Sequence, residues 1–123
     1  MKTALIIILF SLFQTQVTVV KNNGDQVVLK NIKVYQSEGQ SSSDALIYSY
    51  RGEDSNISFK EVKRISVKET LQKKKGVTTY RVILVKSNND KLEVDIDLIK
   101  LEGTNENGKV ESMNLSSVDK ISF

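Results

Sequence analysis

Glu93, Asp95 and Asp97 alternate with Leu92, Val94, Ile96 and Leu98, and side chains two apart on a strand point to the same face. Three carboxylates in such a row can hold calcium or serve as an acid/base pair. A solvated face answered by lysines on neighbouring strands explains the same pattern. That plainer reading is preferred, because no glycine-bearing calcium loop accompanies the row. No metal or other cofactor is therefore expected.

Two further groups suit binding. Lys73, Lys74 and Lys75 form a charge run with Lys60, Lys63, Arg64 and Lys68 close by in sequence. Such a run attracts polyanions: lipopolysaccharide, anionic glycan or nucleic acid. Its plainer use is as a solvated hairpin tip that keeps a sheet edge from aggregating. Tyr48 and Tyr50 fall on one side of an expected strand with Arg51 next to them. Exposed, they would give a rigid aromatic platform for a sugar or peptide; half-buried, they would be cross-strand packing in a small barrel. Asn56-Ile57-Ser58 and Asn114-Leu115-Ser116 match the glycosylation sequon, which matters only in a eukaryotic host.

What the chain lacks narrows the chemistry further. It has no histidine and no cysteine, so the Ser-His-Asp and Cys-His triads, histidine-ligated zinc and an axial haem histidine are all ruled out. Without disulfides, stability must come from packing and hydrogen bonds. Nothing resembles a glycine-rich phosphate loop, a dinucleotide fingerprint or an aromatic-basic RNA-binding signature. No enzyme is expected. The net charge of +3 is close to balance, and lysine outnumbers arginine, the residue that bidentate phosphate and base recognition favours. A protein or glycan partner is expected before nucleic acid, its identity unread.

Lys2, an apolar run over residues 4–13, and the polar Gln14-Thr15-Gln16 have the layout of a secretory signal peptide. The run falls well short of the roughly 20 residues that cross a bilayer. Residues 1–16 are accordingly expected to be a helical leader, cleaved somewhere in 13–17, that leaves no membrane span. A lipid-anchored form would need a cysteine. The mature protein is expected to be periplasmic or secreted.

Downstream of the leader the apolar residues recur mostly at every second position, so the chain reads as all-β. Asn22-Asn23-Gly24-Asp25 signals a first hairpin. Val27 and Leu29 keep one phase while Ile32 and Val34 keep the other, which calls for a bulge near Lys30-Asn31. A polar loop over 38–44, a strand from Ala45 to Tyr50, a turn over Arg51-Gly52-Glu53-Asp54, a return strand from Asn56 to Phe59 and one helical turn at 60–63 lead to Ile65-Ser66-Val67.

The same order then recurs. Val82, Leu84, Val85, Lys86, Asn88 and Asp90 repeat Val17, Val19, Val20, Lys21, Asn23 and Asp25 at one constant spacing. Val118-Asp119-Lys120-Ile121-Ser122-Phe123 repeats Val62-Lys63-Arg64-Ile65-Ser66-Val67. Self-similarity of this kind marks a duplicated structural unit. The expected organisation is a first β unit over 17–70, a hairpin connection over 71–79 and a second β unit over 80–123. Glu102-Gly103 is aligned with Glu38-Gly39 but the closing motif recurs at a smaller displacement, so the second unit is expected to be shorter around Thr104 to Met113, with its third strand reduced or merged with the second. Each unit is too small to bury a sufficient core by itself, so the two should share one.

Short strand, long bent strand, hairpin, single helical turn and closing Ile65-Ser66-Val67 resemble the Src-homology-three-like small barrels. That resemblance implies two related barrel-like halves packed together. It also implies an interaction module, either binding or structural, more than a catalyst.

Overall fold

The computed structural model describes residues 16–38 and 44–123. The leader expected over residues 1–16 lies outside the described residues except for Gln16, where the first strand begins. The described chain contains strands β1 (Gln16–Lys21), β2 (Gln26–Tyr35), β3 (Ala45–Tyr50), β4 (Glu53–Ser58), β5 (Val62–Lys74), β6 (Val77–Lys86), β7 (Lys91–Leu98), β8 (Lys100–Thr104), β9 (Val110–Met113) and β10 (Val118–Ser122). Single 3₁₀ turns at Phe59–Glu61 and Leu115–Ser117 precede β5 and β10. All ten strands pair antiparallel in one curled, half-barrel sheet, so the all-β reading stands.

Local chemistry sets the corners. Asn23 accepts from the Asp25 amide at 2.9 Å and its side-chain amide donates to the Asp25 carboxylate at 3.1 Å. Asn88 and Asp90 repeat both bonds at 3.0 and 3.1 Å. The left-handed position of these two turns is filled by Gly24 (φ +91°) and Asn89 (φ +72°), residue types that tolerate it. Arg51-Gly52 and Lys75-Gly76 each place two residues at positive φ, the backbone that joins twisted strands through a two-residue turn. The bulge in β2 is present: pairing with β8 slips between Lys30 and Lys33, with Asn31 at φ +54°. That slip puts Leu29, Ile32 and Val34 all on the buried side.

The strand order is β4-β3-β7-β6-β5-β10-β1-β2-β8-β9. When β1–β5 are exchanged with β6–β10, the order reads the same from the opposite end. Ile65↔Ile121 is the middle pair of the central β5–β10 contact. The sheet therefore divides into two five-stranded groups, β4-β3-β7-β6-β5 and β10-β1-β2-β8-β9. Each group takes strands from both sequence units. Within residues 17–70 the strand pairs are β1–β2 and β3–β4. Strand β5 pairs only with β6 and β10, and β2 pairs onward with β8.

Residues 80–123 include a separate strand, β8, after β7. β8 is separated from β7 by Ile99 alone. Gly103 lies inside a strand, where β8 turns Leu101 and Gly103 inward as β3 turns Leu46 and Tyr48. A Cβ at Gly103 would sit 2.8 Å from Ile32 Cδ1 and 3.0 Å from Leu29 Cβ. A larger residue there would force the Ile32 and Leu29 side chains of β2 to shift.

One hydrophobic cluster runs through both groups, from Val17, Val19 and Leu29 to Val82, Leu84 and Ile121. No polar or charged residue is buried among the described residues. Tyr80, fully buried, carries the one polar handle used at depth: its hydroxyl accepts from the Leu115 amide at 3.2 Å and lies 3.3 Å from Ser116 Oγ. Phe59 and Phe123 stack at 5.4 Å between ring centres. Both contacts tie one five-stranded group to the other.

Candidate functional site

The outer face of β7 carries the three carboxylates, and each has a partner on β6 or, across β6, on β5. Glu93 pairs with Lys68 of β5, Asp95 with Arg81 of β6 at 3.1 Å, and Asp97 accepts from the Thr79 hydroxyl at 2.6 Å. Arg81 also reaches Glu69 at 3.6 Å, so a charge ladder crosses β5, β6 and β7. The hydrogen bond from Lys68, followed by its charge, holds the Glu93 carboxyl below its ordinary value. The hydrogen bond and charge of Asp95 raise the Arg81 guanidinium above its own. No group of three potential ligands is placed to hold a metal ion among the described residues.

Glu93 gives a pH prediction. A depressed folded-state value means stability that is present above the unfolded carboxylate range, about 4.3 for glutamate, and is lost as pH falls through the folded value. Glu93→Gln should therefore lower the melting temperature slightly at pH 7. It should have no effect at a pH well below that range, and the difference should shrink in high salt because the pair is exposed. Thermal melts at both pH values check this; an equal difference at both would contradict it.

Tyr48 is only 7% exposed and belongs to the core cluster, while Tyr50 is half-buried against it. Arg51 stands 5.1 Å from the centre of the Tyr50 ring, within cation–π reach. Beside them Gln36 acts as a surrogate strand: its side-chain amide donates to the Ile47 carbonyl at 2.8 Å and the Asp97 carbonyl at 3.1 Å, and accepts from the Ile47 amide at 2.9 Å. It bridges β3 and β7, which pair directly at Ser49↔Asp95.

Lys73 and Lys74 end β5 and Lys75 occupies the turn; all three are exposed. Lys74 and Lys75 border a recess of ≈ 330 Å³ with Glu38, Gln72, Thr79 and Asp97. The sequence-adjacent cations are not part of this group. β5 is 13 residues long, and at about 3.3 Å per residue its ends lie roughly 40 Å apart. Lys60, Lys63 and Arg64 are therefore at the far end of the strand, and Lys68 is engaged with Glu93 between them. The extended strand splits one basic run into two sites.

At that far end a second recess, of ≈ 400 Å³, is lined by Phe59, Lys60, Lys63, Ser87, Asn89 and Phe123. Sequence reasoning did not find it, because Ser87, Asn89 and Phe123 reach it only through the pairing of β5 with β6 and β10. Asn114 of the second sequon caps the Leu115–Ser117 turn by accepting from the Ser116 amide at 3.0 Å, and so is not in a strand. No helix among the described residues is long and apolar enough to cross a membrane. No family model, curated protein or solved structure matches this chain.

Proposed function

We propose that this chain is an exported, non-catalytic β protein that acts as a binding or structural module in the periplasm or outside the cell. The carboxylate ladder on β7 carries the non-catalytic part of this reading. Its members are tied to Lys68, Arg81 and Thr79, an arrangement that serves the sheet and leaves no poised acid/base pair in that row. Export rests on the leader-like residues 1–16.

Two related Src-homology-three-like halves are part of the same proposal. Support comes from the strand order, which survives exchange of the two halves, and from the matched Asn23/Asp25 and Asn88/Asp90 turns. The matched 3₁₀ caps, where Ser58 accepts from Lys60 and Asn114 from Ser116, add to it. The halves interleave, with the boundary between them at the hairpin over 71–79.

A second reading, an envelope polyanion binder, is favoured by the exposed Lys73, Lys74 and Lys75, none of which enters an ion pair among the described residues. Affinity capture by the mature protein from its native envelope, at low and high salt, separates the readings. A specific protein or glycan partner retained at high salt is the expected result. Anions released by salt would favour the second reading, and substrate turnover without a retained partner would overturn both.

A further inference from the structure

The geometry points to a binding site for an acidic sugar residue in the recess at the start of β5, far from the lysine tip. This inference rests on the binding-module reading. The recess volume of ≈ 400 Å³ falls in the range of small-molecule sites and has room for one or two sugar rings. Lys60 and Lys63 stand at its rim, and neither enters an ion pair among the described residues. The stacked rings of Phe59 and Phe123 supply an apolar wall, and Ser87 and Asn89 supply hydroxyl and amide groups.

The exchange symmetry provides an internal control. The places of Phe59, Lys60, Lys63, Ser87, Asn89 and Phe123 are taken in the other half by Leu115, Ser116, Asp119, Asn22, Gly24 and Val67. The same backbone bond closes both corners: Ser87 N–H donates to the Glu61 carbonyl at 2.8 Å, and Asn22 N–H to the Ser117 carbonyl at 2.9 Å. The fold therefore has no need of two lysines and two phenylalanines at this corner. Asn89 sharpens the contrast. It occupies a left-handed position that the other half gives to glycine, and its side-chain oxygen accepts from Lys63 Nζ at 2.9 Å, holding that ammonium at the recess.

These groups select the ligand. Two ammoniums recognise a carboxylate, sulfate or phosphate as point charges. An apolar ring wall next to hydroxyl and amide groups suits the mixed surface of a sugar. Phe59 is only 5% exposed, so the pair is a wall and not a platform on which bases stack, and a single-stranded nucleic acid fits less well.

The test is titration of the full mature chain with a sulfated heparin disaccharide, a neutral disaccharide and inorganic sulfate, followed by amide NMR shifts. Shifts at Ser87, Asn89 and Phe123 are expected with the sulfated disaccharide, weakened tenfold or more by Lys60→Ala with Lys63→Ala. Phe123→Leu should weaken binding several-fold, and replacing Lys73, Lys74 and Lys75 with alanine should leave it within twofold. Equal response to inorganic sulfate, equal binding of the neutral disaccharide, tighter binding of a single-stranded oligonucleotide, loss with the tip variant, or no response would each overturn the proposal. Failure here leaves partner capture at high salt unaffected, so the two readings fall separately.

Discussion

Ile121→Ala should cost about 2–5 kcal/mol, the range for truncating a well-buried aliphatic side chain. Ile121 is 1% exposed and stands between Val19 of β1 and Ile65 of β5, both buried. It therefore packs at the β5–β10 seam, where a strand ladder joins the two five-stranded groups. Ile65→Ala should cost a similar amount. Because the two isoleucines are directly opposed, the double variant should depart from additivity by about 0.5–3 kcal/mol. Ile47→Ala, at a residue 42% exposed on the outer face, should change stability by less than about 0.5 kcal/mol. Denaturant melts of the four variants check this. A small, additive effect at Ile65 and Ile121 would mean that the seam contributes little.

A larger effect is expected from cutting the chain. Residues 16–74 contain β1 to β5, but the pairs available inside that span are two separate hairpins, β1–β2 and β3–β4. Isolated hairpins are marginal in water. The edge of β2 that pairs with β8, the edge of β3 that pairs with β7 and the whole of β5 would be left without partners. Residues 77–123 face the same loss, retaining only β6–β7 and β8–β9. Neither segment can bury enough apolar area to offset its conformational entropy. Each should be unfolded on its own, a loss of the entire folding free energy.

What the sequence made legible was local. The Asn22–Asp25 turn, the bulge at Lys30-Asn31, the Arg51-Gly52 corner and the single turn before Ile65 are each set by residues within a few positions of one another, and each is present. The repeat of Val17 to Asp25 in Val82 to Asp90 was also legible. The way strands from the two spans interleave was not. Antiparallel partners carry no mark of which distant strand they join, and β2 meets β8 as readily in pattern as it would meet β3. The same blindness merged Lys60, Lys63 and Lys73–Lys75 into one patch, because sequence distance along an extended strand is spatial distance. The role of Gly103 was not legible either, because its close approach to Leu29 and Ile32 follows from the pairing of β8 with β2.

The interleaved sheet is tested most directly by expressing residues 16–74 and 77–123 separately and then mixing them, following far-ultraviolet circular dichroism and thermal melting. Neither piece should melt cooperatively alone, and a one-to-one mixture should regain strand signal and a single cooperative transition. A cooperative melt of either piece alone, or a mixture no more ordered than its parts, would contradict the account.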